Sequence, residues 1–360
     1  MNRDKIIKFT SNRVWRTYTG GKLLDQIEGN EDPDDSNFPE DWIGSTVEAR
    51  NPGRDKPGEG LAMVEGADGK PIPFRELLLS DPKYNLGTDG DGVQELENIP
   101  LVKYLDSSTR LHFQAHPTSE FSQARLGSPR GKTEAYVILD SRAEVPEPYI
   151  YAGFQRSPNR EELKGWIESQ DIDSMEKCFD KIPVKPGDVF LIPGGRPHAL
   201  GEGILMLEIM EPSDLAVRFE FEREGLVIPE EARFMGRDIE TALDVFNLDP
   251  VEPESIDEEF RCQPTQLLKT DDGSILEELI GQAQTKCFGV KRMSVVRSAL
   301  REENEFFYGV VVEGAGEFIV DGNSTELKKW DRFFCPAGVS SFEYKSTFGM
   351  TILECFPGKY

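Results

Sequence analysis

Histidine is scarce in this chain: three residues in 360, His112, His116 and His198. A region without one cannot build an imidazole-based site, and the last 160 residues have none. Cysteine is scarce too. Cys178, Cys262, Cys287, Cys335 and Cys355 are widely spaced, with no C-x-x-C, so neither a thiolate zinc site nor a disulfide scaffold is indicated. Their odd number fits a reducing, cytoplasmic setting. Positive charge is in deficit, with 41 Lys and Arg against 66 Asp and Glu and a formal net charge of −25. Nucleic acids and anionic membranes need clustered cations, so both are excluded as expected partners. The acidity reads as solubility, and an anionic small molecule would need local basic residues to oppose the overall field. No run approaches the ~20 apolar residues that span a bilayer, and the first residues show no signal-peptide pattern.

The length suits two or three packed units. Short apolar stretches between Gly, Pro and Asp turns predict a mainly β chain. Helices are expected at 73–79, at 160–167 behind an Asn159 cap, at 173–179 and at 237–246. Residues 51–98 are irregular and could cover the mouth of a site. Strands are expected at 306–312 and 316–320. The segment 327–338 echoes 184–195 as an internal turn-then-strand repeat, and this second copy contains no histidine.

The chemistry concentrates in LHFQAHP (111–117), followed by GKTE (131–134) and PGGRPHA (193–199). Residues two apart on a strand share a face, so Gln114 and His116 aim an amide and an imidazole into one space. Glu134 opens the apolar run AYVIL, and His198 lies beyond a glycine turn. Two imidazoles, a carboxylate and an amide suffice for a divalent metal with room for water or substrate. Taken alone, a strand histidine is more often a structural, hydrogen-bonded residue. In Ile204–Met210, Glu208 shares a face with Ile204 and Met206, and a carboxylate in so apolar a run is paired, at an edge, or functional. Arg218 by itself reads as an edge-strand surface residue, Lys103 as a solvating charge and Trp42 as a core aromatic.

The ordered words Q-x-H-P, G-K-T-E, P-G-D-V-F-x-I-P-x-G-x-x-H-A and E-x-x-x-x-S-D-x-x-x-R (208–218) resemble the type I mannose-6-phosphate isomerases, zinc-dependent members of the cupin superfamily. The resemblance implies two cupin, jelly-roll β-barrel domains with a small helical insertion. A catalytic unit would span 1–255 and a metal-free one 256–360. It implies one Zn2+ per chain held by Gln114, His116, Glu134 and His198, and an isomerase interconverting mannose 6-phosphate and fructose 6-phosphate. Lys132 would balance the acidic pocket or contact substrate, Glu208 would take part in proton transfer, Arg218 would face the substrate and Lys103 would line the wall. The partner would be a small sugar phosphate, the enzyme a cytoplasmic monomer or weak homo-oligomer. Two departures bear on substrate. His112 stands where the family has a Ser associated with the phosphate end, and could donate to phosphate, ligate metal, or signal another sugar. Trp15 is separated by four residues from Gly20-Gly21, where the family has W-G-G. The alternatives are an isomerase of another sugar, and a metal-containing sugar-binding cupin without catalysis.

Overall fold

A computed structural model describes residues 5–51, 53–54, 56–66 and 69–360. The fold is mainly β, with two sheet-rich halves of cupin-like arrangement. Among the described residues, a six-stranded sheet runs in the order Val189–Ile192, Glu134–Ser141, Ile204–Met210, Leu101–Asp106, Glu40–Ile43 and Arg13–Val14. A five-stranded sheet runs Ile182–Pro183, Tyr149–Ala152, His198–Leu200, Gln114–Ala115 and Val217–Arg218. The two face each other as a sandwich without joining their edges by strand pairing.

Alternation along the six-stranded sheet explains the layering. Its strands are buried on both faces, as VFLI (189–192) and ILMLEIM (204–210) anticipate. Leu205, Leu207 and Ile209 point away from the five-stranded sheet and join a core with Tyr308, Val310 and Phe334 of the C-terminal half. Ile204 and Met206 point the other way and pack with Tyr136, Ile150 and Leu200 between the two facing sheets. Glu208 is on this inner face by the same period of two, at the end of the sandwich where the apolar filling stops.

From residue 265 onward the C-terminal half supplies nine strands of a ten-stranded sheet system. The strand Ile7–Lys8 joins it by pairing with Arg332–Cys335, so the start of the chain crosses to the far half. The two strands expected at 306–320 are one, Phe307–Val320. Its pairing with Met350–Phe356 shifts register between Val311 and Glu313, so the strand bends there without breaking. Val189–Ile192 and Arg332–Cys335 are the two repeat strands read from sequence.

The expected helix near 73–79 is Phe74–Ser80. Arg160–Ser169 is closed by a capping box between Asn159 and Glu162. Ile172–Glu176 and Ile239–Leu243 are shorter than expected, each capped by the preceding aspartate. Of the described part of 51–98, Asn51 lines the cavity, and the helix Phe74–Ser80 packs elsewhere. Phe74, Leu77 and Leu78 are driven into the junction of the halves, where Phe74 meets Phe9 and Phe334 edge-on at 5.0 and 5.2 Å. Phe74→Ala is therefore expected to cost ~3–5 kcal/mol, because a fully buried ring leaves a cavity shared by both halves. Chemical denaturation of the variant checks this. No helix among the described residues is long and apolar enough to cross a membrane.

Candidate metal centre and active-site cavity

The site lies between the facing sheets, and register decides its membership. His198 pairs with Gln114, and Gln114 pairs with Arg218 on its other side. One row of the five-stranded sheet therefore carries all three. Opposite it, Glu208 pairs with Lys103 and with Tyr136, and Met210 with Glu134. Close backbone approach brings the loops together. Gly194 packs on the chain after His116, where a Cβ would lie 3.0 Å from the Pro117 carbonyl oxygen. The amide of Gly195 donates to the His116 carbonyl at 2.7 Å, and that of Lys132 to Pro117 at 3.0 Å.

Each imidazole is oriented from behind. His116 Nδ1 donates to the Leu215 carbonyl at 2.8 Å, and His198 Nδ1 to the Arg196 carbonyl at 2.9 Å. Both Nε2 lone pairs are thereby turned inward. They meet Glu134, whose Oε2 is 3.1 Å from His116 Nε2 and whose Oε1 is 3.0 Å from His198 Nε2. The last contact sets acceptor against acceptor, and His198 Nε2 is buried without a hydrogen-bond partner. Burial, then the Lys132 ammonium, pushes the His116 pKa down to about 3, so this ring is neutral. Burial acts to raise the Glu134 pKa, but the Lys132 ammonium beside it leads the groups that outweigh burial and hold the carboxyl well below its usual range.

The ligand atoms of His116, Glu134 and His198 lie within 4.8 Å of one another, all buried. Three electron-pair donors converge with one ammonium beside them: Lys132 Nζ is 2.8 Å from His116 Nε2 and 2.6 Å from Glu134 Oε2. An orphaned imidazole nitrogen and a His–Glu–His donor set fit a divalent cation. Gln114 lines the same cavity as their neighbour. His112 stands apart from the trio. Its Nε2 donates to the Leu226 carbonyl at 3.0 Å, and burial lowers its pKa. The neutral ring offers the cavity an acceptor, not a donor.

Beyond the donor set runs a chain of alternating charges. Lys132 Nζ is 3.6 Å from Glu208, Glu208 is 3.1 Å from Lys103, and Lys103 is 3.2 Å from Glu40. Arg16 continues it, 3.2 Å from Glu40 and paired twice with Asp214 at 2.6 and 2.9 Å. Glu40 also accepts from the Tyr18 hydroxyl and from Trp42 Nε1. Burial acts to raise Glu40, but Arg16 and Lys103 bring it down to about 2. Glu208 goes the other way. Burial and the charge of Glu134 push it up to about 7 against the pull of Lys103 and Lys132. Arg218 donates to the Ala232 carbonyl at 3.1 Å and has no carboxylate in ion-pair range among the described residues.

All nine residues singled out in the sequence thus meet around one site. The sequence reading missed Arg16, Tyr18, Glu40, Arg50 and Asp214, which also line the cavity. A signal existed for two of them: Arg16 and Tyr18 fall in the four residues separating Trp15 from Gly20-Gly21. Asp214 sits in the S-D-x-x-x-R word, where the sequence reading gave it no role.

A cupin-like two-sheet fold thus encloses a buried His–Glu–His donor set with a raised carboxyl beside it, the makings of a metal-capable site. No protein-family model matches the chain. It is, however, similar in sequence to proteins named mannose-6-phosphate isomerase. It is 28% identical over 257 residues to mannose-6-phosphate isomerase ManA of Bacillus subtilis, covering 70% of this chain and 74% of that protein. It is 27% identical over 290 residues to the mannose-6-phosphate isomerase of Streptococcus mutans, covering 79% and 81%. The crystal structure of mannose 6-phosphate isomerase from Bacillus subtilis superposes with a TM-score of 0.74 at 23% identity, covering 97% of this chain and 99% of that one, a likeness of fold.

Proposed function

We propose that the protein is an aldose–ketose isomerase interconverting mannose 6-phosphate and fructose 6-phosphate. The observation that carries the reading is the pairing, in one cavity, of the His116–Glu134–His198 donor set with Glu208, a carboxyl poised near neutrality. His116, Glu134 and His198, with Gln114, would hold one zinc ion. When bound, it would orient and polarise the neighbouring carbonyl and hydroxyl oxygens of the sugar.

The rest falls to the chain's own side chains. Isomerisation takes the proton from C2 of the aldose and returns it to C1, while a hydroxyl proton passes between the two oxygens. Glu208 is the base for the carbon proton, since a pKa near the working pH balances ionisation against driving force. Lys103 and Lys132 hold its carboxylate from two sides. Arg218, with no carboxylate in ion-pair range among the described residues, faces the oxygens where negative charge develops. His112 accepts from a sugar hydroxyl.

The donor set, the ionic chain and the cavity lie in residues 1–255, which we take as the catalytic unit. Residues 256–360, without histidine, form the metal-free partner. Free thiols at all five cysteines support a cytoplasmic setting, and we take the enzyme as a monomer or weak homo-oligomer with no nucleic-acid partner.

A coupled assay with mannose 6-phosphate and fructose 6-phosphate tests the reading. Activity is expected as purified, lost on chelation and restored by zinc, with about one metal per chain. His198→Ala is expected to lose the metal and Cys178→Ala to keep it, measured by elemental analysis. Turnover of a different sugar alone would move the substrate assignment, and sugar binding without turnover would leave a binding cupin.

A further inference from the structure

A hexose 6-phosphate reacts at C1 and C2 but carries its charge on C6, so its recognition needs two separate ends. The metal-capable end is deep: His116 and His198 are 2% and 1% exposed. The phosphate end must supply cation in a chain of net charge −25. Most cations of the cavity are already committed. Arg16 is held by Asp214 and Glu40, Lys103 by Glu40 and Glu208, and Lys132 by Glu134 and Glu208. His112, with Nε2 bound to the Leu226 carbonyl, has no N–H left for phosphate while neutral.

Two guanidiniums of the cavity wall remain without a carboxylate among the described residues. One is Arg218, beside Gln114 at the reacting end. The other is Arg50, exposed on the rim. Its backbone is anchored, not its side chain: the Arg50 amide donates to Asp214 Oδ2 at 2.8 Å, the same carboxylate that pins Arg16. The rim position is thus tied to the buried ionic chain while the guanidinium stays available. A free guanidinium presents paired donors that match phosphate oxygens.

We propose that Arg50 is the specificity-determining residue that binds the phosphate of the sugar at the cavity rim, an inference that rests on the isomerase reading above. A surface-exposed, charge-assisted contact of this kind contributes about tenfold in affinity.

The test compares Arg50→Gln, Arg50→Lys and Arg54→Gln in the full chain. Arg54 is on the same segment but is paired with Glu59 and lies outside the cavity wall. Two quantities are read: KM for mannose 6-phosphate, and the dissociation constant of inorganic phosphate by calorimetry. Arg50→Gln is expected to raise both about tenfold with a smaller change in kcat, Arg50→Lys to recover much of the loss, and Arg54→Gln to change neither. Unchanged values in Arg50→Gln, or equal changes in Arg54→Gln, would overturn the proposal. If the wild type turns over no hexose 6-phosphate, the isomerase reading fails, and phosphate binding still decides for or against Arg50.

Discussion

Glu208→Gln is expected to keep the metal and much of the substrate affinity while losing turnover by ~10²–10⁴-fold, the usual contribution of a positioned base. Glutamine preserves the shape and can still accept from Lys103 at the position now 3.1 Å away. It cannot take a proton. The environment explains why this carboxyl is the one suited to the work. Glu134, Glu208 and Glu40 lie in one ionic chain, yet their pKa values diverge. Glu134 and Glu40 each have cations that outweigh burial, whereas in Glu208 burial and the charge of Glu134 prevail and the value rises to about 7. A base must be ionised to act, so wild-type turnover is expected to rise with pH through the neutral range. Steady-state kinetics across pH, with metal content measured in parallel, checks both statements. A variant with wild-type turnover would remove Glu208 from the proton path.

Arg16→Met is expected to destabilise the fold by ~3–5 kcal/mol, the cost of leaving buried charge without its partner. Arg16 is 6% exposed, Glu40 1% and Asp214 6%. Methionine roughly fills the stem's volume over Trp42 but supplies no charge, so Asp214 loses its ion-pair partner in a dry wall and Glu40 keeps only Lys103. With typical total stability of about 5–15 kcal/mol, such a loss is large. Arg16→Met/Asp214→Asn is expected to recover part of it, since the orphaned charge goes too. The pH dependence has a definite sign. Burial acts to raise Asp214, but Arg16 outweighs it, so its folded pKa is depressed, as is that of Glu40 at about 2. Their contribution is present above the unfolded carboxylate range near 4 and is lost as pH falls toward the folded values. Acid unfolding should therefore be less steep in the double variant than in the wild type. Urea denaturation at pH 7 and pH 3 measures both effects.

Much of the site was legible because its signals are local. Alternation along a strand sets which residues share a face, so Gln114 and His116 could be paired on sight, and Glu208 stood out as an acid in an apolar run. The same period of two placed Leu205, Leu207 and Ile209 on the opposite face, where they pack on the C-terminal half. The Asn159 capping box was equally local. Residues 51–98 were less legible because Pro, Gly and Asp mark turns without saying where the pieces pack. Phe74 found its place only against Phe9 and Phe334.

The sequence by itself determined the β character, the scarcity of histidine that confines an imidazole site to one half, and the identities that can bind a metal. Tertiary structure alone decided the charges. Arg16 meets Asp214 across 198 positions, and no local pattern signals such a meeting. Nor could the sequence say which carboxyl would be neutralised by cations and which left near neutrality. A pKa is set by depth of burial and by the charges within a few ångströms, and both come from strands brought together across the sandwich rather than from neighbours along the chain.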